Sequence, residues 1–177
     1  MPLAGLAEKI GFYIAQPIGA EAPMSIDRPV SGKLADATPS TSSLASEKDA
    51  IHEVFIGYYD VYGRDSGAAS AFYGEPTLMV LQNEVVMLNT RADVAAYLDK
   101  YLEGLKRNGY SHSKLGDYHV KFLNPKTALF STITIRMKTD GTEMQRSGFT
   151  YLLLKGDAGW RIHEIIATDI DKLISAD

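Results

Sequence analysis

The chain has 177 residues, of which 45% are hydrophobic and 23% charged, as in an ordinary globular domain with an appendage. It contains no cysteine, which excludes disulfides, thiolate zinc sites and cysteine nucleophiles. The net charge is −4 without a cluster of lysine and arginine, so we expect no nucleic-acid partner. No segment approaches the roughly 20 apolar residues of a membrane-spanning helix, so we expect no membrane partner.

The four histidines could contribute to a metal site, but the sequence has neither an HxH nor an HExxH spacing. We therefore expect no metal and no cofactor. The first 22 residues are mildly apolar and end in Ala20-Glu21-Ala22, which resembles a signal cleavage site. They lack a basic start, and Glu8-Lys9 interrupts the apolar run, so we expect a cytoplasmic protein.

Residues 1–45 are predicted to form an N-terminal extension to a domain over residues 46–177. Apolar side chains near the start share one helical face: Leu3, Leu6, Ile10 and Ile14. Prolines then prevent a long helix or an inner strand: Pro17, Pro23, Pro29 and Pro39. A flexible tail is one interpretation. We prefer a segment that packs on the body or on a neighbouring subunit.

The domain is predicted to begin with a helix, because Ser46 and Asp49 have the spacing of a capping box. Apolar residues then recur on one helical face: Ile51, Val54, Phe55, Tyr58 and Tyr62. Gly63 ends this helix, and a short second helix is predicted around residues 66–72. The segment "TLMVLQNEVVML" follows and predicts a hairpin that turns at residues 82–84.

A third helix is predicted from its N-cap Thr90, with Asp93 in the capping-box position, to Asn108-Gly109. Strands fill the rest of the chain. "DYHVKFLNP" alternates, "TALFSTITIRMK" and "MQRSGFTYLLLK" flank an Asp140-Gly141 turn, and a strand beginning at Trp160 closes the series. Helices that precede a long antiparallel meander predict an α+β fold with the helices on one face of a curved sheet.

This element order, with "WRI" after the last turn and "DG" in the preceding hairpin, resembles the nuclear transport factor 2-like (NTF2-like) superfamily, and its SnoaL-like members in particular. The resemblance covers about residues 46–170. It implies a cone-shaped, strongly bent antiparallel sheet around a long first helix, with a pocket at the open end. The superfamily includes ketosteroid isomerase, scytalone dehydratase, limonene epoxide hydrolase, polyketide cyclases and pocket proteins without catalysis, so the fold leaves the activity open.

The catalytic patterns of these relatives are incomplete in this chain. Where ketosteroid isomerase has an Asp base, this sequence has Gln82-Asn83, and Glu84 is the nearest carboxylate. Limonene epoxide hydrolase uses an Asp-Arg-Asp set. Of this set, the present chain has only the arginine, as Arg136, and the position of the last acid falls near Ala167.

Scytalone dehydratase uses a Tyr-Asp pair on the first helix and two histidines. This pattern is matched in part by Tyr59-Asp60 and by His112, which we expect in a loop. The second histidine position holds Ser131 or Thr132 instead. The helical spacing also turns Asp60 away from the face that carries Tyr58 and Tyr62.

Several side chains are candidates for a pocket. Tyr58 and Tyr62 are expected either to pack in the core or to line the pocket, where Tyr58 could stabilise an oxyanion. Tyr151 is a further candidate for substrate binding. Arg136 follows Thr132 and Thr134 on its strand, so it belongs either to a solvent-facing polar stripe or to a clamp for an anion or carbonyl group.

His163 lies in the last strand with the same parity as Arg161, Ile165 and Ala167. If that face lines the cone, His163 is in the pocket and could move a proton near neutral pH. If Trp160, Ile162 and Ile166 face the helices, His163 points outward, where it could meet a second subunit. The catalytic hypothesis pairs His163 with Tyr58.

Two functions remain open from the sequence. One is a cofactor-independent acid/base enzyme, of isomerase, dehydratase or cyclase type, acting on a small apolar oxygenated molecule. The other is a non-catalytic domain that binds a small ligand or dimerises. A homodimer is expected because "SGFTYLLLK" is apolar on both faces of its strand, which a one-sided sheet does not require.

Overall fold

The computed structural model describes residues 41–174. The predicted N-terminal amphipathic and proline-rich segments lie outside the described residues, apart from the last few positions before Ser46. The helices are α1 (Thr41–Tyr62), α2 (Ser66–Ser70) and α3 (Arg91–Arg107). The strands are β1 (Tyr73–Val80), β2 (Val85–Leu88), β3 (Tyr110–Asn124), β4 (Thr127–Lys138), β5 (Glu143–Gly156) and β6 (Gly159–Thr168), followed by a 3-10 turn at Ile170–Lys172.

The first and third helices pack with the faces that their sequences predict. In α1, the side chains of Ile51, Phe55, Tyr58 and Tyr62 are buried. Phe55 stacks on Phe130 of β4, with ring centroids 3.7 Å apart. The capping box of α3 is present: Thr90 accepts from the Asp93 amide, and the Asp93 side chain accepts from the Thr90 amide. Both helices therefore cover one face of the sheet.

Two predicted boundaries are wrong. Helix α1 begins at Thr41, so Ser46 lies inside the helix instead of capping it; no glycine or proline stands between Pro39 and Ser46 to stop the helix. Strand β3 begins at Tyr110, so His112 lies on a strand and not in a loop. Pairing with β4, such as His112 with Met137, extends this weak strand sequence through backbone hydrogen bonds.

The six strands form one sheet in the order β2-β1-β6-β5-β4-β3. The predicted α+β class and cone-like NTF2 architecture are confirmed. The sheet is mixed where an antiparallel one was expected, because β1 runs parallel to β6 while the other neighbours are antiparallel. Between β1 and β6 the chain passes through β2, α3 and the antiparallel strands β3 to β5. It then returns to the edge of β1, where β6 pairs in the same direction.

Register shifts interrupt the long strands and help the sheet curve around α1. One of them lies between β5 and β6, where Leu153 pairs with Ile162 but Leu152 pairs with Glu164. His163 is therefore an extra residue on β6. After this bulge, Ile165 faces the same side as Ile162, and both are buried.

Candidate functional site

A cavity of about 60 Å³ lies between the helices and the inner face of the sheet. Tyrosine dominates its wall: Tyr58, Tyr59, Tyr62, Tyr73, Tyr97, Tyr101 and Tyr151. The remaining lining side chains are mainly apolar, apart from Thr134 and Arg136: Met79, Leu81, Leu98, Phe149 and Ile165. A buried water needs at least about 10–15 Å³ of such space, so the cavity has room for several waters or for part of a small molecule.

A wider cleft of about 660 Å³ adjoins this cavity. The two share Leu81, Tyr101, Arg136 and Phe149, so these residues form the passage between them. The walls of the cleft are more polar and include Glu84, Gln145, Arg146 and the segment 167–171. The site therefore consists of an inner tyrosine-lined cavity and an outer polar mouth.

The positions of the tyrosines follow from their elements. Tyr58 and Tyr62 are one helical turn apart on the buried face of α1, and their ring centroids lie 5.2 Å apart. The hydroxyls of Tyr58 and Tyr73 form a hydrogen bond of 2.7 Å. Tyr59 bonds through its hydroxyl to Thr134 of β4. Tyr151 faces the same cavity because it alternates with outward residues on β5.

Burial keeps these tyrosines protonated. Desolvation raises the pKa of Tyr58, Tyr62 and Tyr151 well above the ordinary value of 10.0. It also raises the pKa of Tyr59 and Tyr73. At neutral pH the hydroxyls therefore donate and accept hydrogen bonds, but they do not act as bases.

The inner cavity contains a buried cation. Arg136 is only 4% exposed, which excludes the solvent-facing stripe that the sequence left open. Its Nη1 donates to Gln145 Oε1 at 2.8 Å, and its Nη2 donates to the Tyr101 hydroxyl at 3.0 Å. Thr132 and Thr134, on the same face of β4, are buried as well. The sequence could not reveal this burial, because alternating threonines are equally common on exposed strands.

The placement of His163 in the pocket is wrong. Its Nδ1 donates a 3.1 Å hydrogen bond to the carbonyl oxygen of Pro76, and it does not line either cavity. A Cβ atom at Gly74 would lie 2.0 Å from His163 Nε2. Because the preceding Tyr73 faces the cavity, the ring over Gly74 lies on the opposite side of the sheet. The bulge at His163 breaks the alternation on which the expectation depended.

The scytalone dehydratase pattern does not assemble either. Asp60 is exposed and forms a 2.8 Å salt bridge with Arg64, as its position on the helical wheel predicts. His112 is exposed on β3, where its Nδ1 lies 3.1 Å from the Ser111 hydroxyl. Neither residue lines the cavity.

Tyr97 lines the cavity as well, although its position was not predicted from the sequence. Tyr97 and Tyr101 are one turn apart on α3, beside the buried face of that helix, and their rings stack at 6.5 Å. This i, i+4 aromatic pair was the available signal. The Tyr97 hydroxyl donates to Glu84 Oε1 at 2.7 Å. Desolvation and Glu84 raise the pKa of Tyr97. The pair links a carboxylate at the mouth to the wall of the inner cavity.

Neither a metal-binding cluster nor a membrane span is found in the described part of the chain. Between residues 41 and 174, no group of three or more His, Asp and Glu side chains is arranged to hold a metal ion. None of the helices within this range is long and apolar enough to cross a membrane.

An α+β cone that encloses a cavity beneath its first helix defines a class of pocket proteins, and the comparisons give the family. Residues 48–170 match the NTF2-like protein (DUF6841) family, and the chain belongs to it. No curated protein shows a significant sequence match.

Solved structures share the fold. An NTF2-like protein with a cystatin-like fold from Novosphingobium aromaticivorans is 20% identical, with a TM-score of 0.58 over 78% of this chain and 94% of that one. A provisionally assigned dehydratase of the NTF2-like family from Streptomyces avermitilis is 14% identical, with a TM-score of 0.56 over 71% and 97%. The yeast UBP3-associated protein BRE5 is 19% identical, with a TM-score of 0.55 over 72% and 96%.

Proposed function

We propose that the protein binds a small, oxygenated and largely apolar molecule in the tyrosine-lined cavity. The observation that carries this proposal is the composition of the wall. It combines aromatic surface with protonated hydroxyls, and no carboxylate or imidazole is among the described residues that line it. Such a wall supplies apolar contact and oriented hydrogen bonds, but no proton acceptor that works near neutral pH. These features favour binding over acid/base catalysis.

A bulky substitution in the passage between the inner cavity and the outer cleft tests this proposal. Leu81 lies where the inner cavity meets the cleft, so Leu81→Trp should obstruct entry. Leu123→Trp is the matched control, because Leu123 is 54% exposed and lines neither cavity. Saturation-transfer NMR with a panel of small phenols, ketones and aromatic acids should detect binding to the wild type and to Leu123→Trp, but not to Leu81→Trp. Absence of binding to the wild type, or equal binding to all three proteins, would contradict it.

A second proposal, acid/base catalysis, is favoured by the hydrogen bond between Glu84 and Tyr97. Among the described residues, Glu84 is the one carboxylate whose side chain forms a hydrogen bond with a wall residue of the inner cavity. In this scheme Glu84 takes the place of His163 as the base that removes a proton from carbon. Tyr58 and neighbouring hydroxyls stabilise the resulting oxyanion, a role worth roughly 3 kcal/mol where such donors have been removed. Isomerisation, dehydration and cyclisation can each begin with removal of a proton from carbon.

Deuterium exchange separates the two proposals without knowledge of the substrate. A base that removes a proton from carbon should catalyse incorporation of deuterium from D₂O into a carbonyl compound that binds. Glu84→Gln should abolish this exchange and leave the affinity unchanged. If no bound carbonyl compound exchanges faster than it does in buffer alone, the catalytic proposal fails and the binding proposal stands.

A further inference from the structure

We infer that the ligand carries a carboxylate or a similar planar oxyanion, which the Arg136 guanidinium binds. This inference rests on the proposed function, because it specifies the ligand class for the same cavity. It assigns Arg136 as the specificity-determining residue.

Arg136 is buried without a counter-charge from the described residues. Arg136 is 4% exposed, yet none of the described carboxylates forms a salt bridge with it. Its neighbours at Nη1 and Nη2 are neutral, an amide oxygen and a hydroxyl. Buried charges in proteins are normally paired, because removing a charge from water is costly. The site is therefore electrostatically incomplete without an anion.

The Arg136 guanidinium has hydrogen-bond donors that the described residues do not use. An arginine has five N–H groups. The buried Nε has no hydrogen-bond partner among the described residues, and one hydrogen-bond acceptor is present at each Nη. The N–H groups of a guanidinium form a planar fork that matches a carboxylate bidentately. The donors that remain are thus suited to two oxygens in one plane.

The guanidinium of Arg136 lies where a ligand would enter the inner cavity. Arg136 lines both the inner cavity and the outer cleft. Its guanidinium carbon lies 5.5 Å from the Tyr101 ring centroid and 6.0 Å from that of Phe149, so the group lies beside two aromatic rings. An anion at Arg136 would leave the apolar part of the ligand among the tyrosine rings. A small aromatic acid has this distribution of charge and apolar surface.

Matched acid and amide probes test the inference on the wild-type protein. Benzoate and benzamide, and phenylacetate and phenylacetamide, have nearly the same shape but differ in charge. Titration calorimetry at neutral pH should show that each acid binds at least about tenfold more tightly than its amide, since a hydrogen bond to a charged group is worth more than one to a neutral group. The preference should fall as salt is raised.

The same titrations on the Arg136→Met variant are the second test of the inference. The control variant is Arg146→Met, which changes an arginine on the exposed wall of the cleft. Arg136→Met should weaken binding of the acids by about tenfold or more and leave the amides within about twofold. Its melting temperature without ligand should not fall, because removal of a buried charge that has no counter-charge in the described part of the chain offsets the loss of the hydrogen bonds to Gln145 and Tyr101. A purely structural arginine would instead lower the melting temperature and affect acids and amides alike.

The outcomes distinguish the two levels of the proposal. Equal binding of acids and amides by the wild type would overturn the anion inference and leave the small-molecule cavity standing. Failure of all four probes to bind the wild type would overturn the anion inference, and failure of the phenols and ketones as well would overturn both. If Arg136→Met does not fold, the ratio of acid to amide affinity in the wild type still shows whether the ligand site prefers an anion.

Discussion

Tyrosine hydroxyls give this cavity its chemistry, and burial determines what each hydroxyl can do. The spacing on α1 predicted that Tyr58 and Tyr62 face inward, and the structure places both on the cavity wall with Tyr151 and Arg136. Their roles in binding stay predictions. The burial of Arg136 could not be predicted, because it depends on Tyr101 and Phe149, which reach it from other elements.

Removing a single hydroxyl should measure the inner hydrogen-bond pair. Tyr58→Phe deletes the bond to Tyr73, so the free energy of unfolding should fall by about 1 kcal/mol. Tyr118→Phe is the control, because Tyr118 is 40% exposed. Urea denaturation measures both. A loss no larger than that of Tyr118→Phe would show that the Tyr58–Tyr73 bond contributes nothing net.

The raised tyrosine pKa values also predict how stability changes with pH. The folded state holds the protons of Tyr58, Tyr62 and Tyr151 beyond the ordinary value of 10.0. Their contribution to stability is therefore complete below pH 10 and declines above it, because the unfolded chain then loses protons that the folded chain retains. Tyrosinate absorbance and circular dichroism, followed together as pH rises, should show these tyrosines ionising only as the fold is lost. Full ionisation with the fold intact would contradict the assigned burial.

At the scale of elements, local sequence predicted the helices better than the sheet. The capping box and the apolar face fixed α3, because both depend on residues within a few positions of each other. The parallel pairing of β1 with β6 joins segments far apart in the sequence, and no local pattern encodes it. The bulge at His163 is likewise set by its partners, so simple alternation assigned this side chain to the wrong face.

The contact between Gly74 and His163 should be measurable as an energetic coupling. Gly74→Ala places a Cβ 2.0 Å from Nε2 of the His163 imidazole. The ring must therefore move, which breaks the hydrogen bond from its Nδ1 to the Pro76 carbonyl oxygen. We expect Gly74→Ala to cost about 1–3 kcal/mol, and His163→Ala to recover much of that loss when combined with it. Chemical denaturation of both single variants and the double variant gives the coupling. Additive losses would mean that the ring does not cover Gly74.

At the scale of the whole molecule, we propose that the protein is a homodimer that covers the outer face of the sheet. Tyr151 and Leu153 face α1, so Leu152 and Leu154 lie on the outer face, where Leu154 is 37% exposed. A chain of 19.4 kDa should then scatter light as a particle of twice that mass. Leu154→Lys should weaken the dimer, whereas Ile56→Lys on the exposed side of α1 should not. A monomer mass for the wild type at micromolar concentration would contradict this proposal.

We propose above all that the tyrosine-lined cavity holds a small molecule. Native mass spectrometry after incubation with a small-molecule extract of the source cells tests it most directly, using the wild type, Leu81→Trp and Leu123→Trp. We expect one recurrent small mass increment on the wild type and on Leu123→Trp, and none on Leu81→Trp. Unliganded masses for all three proteins, or the same increment on all three, would contradict it.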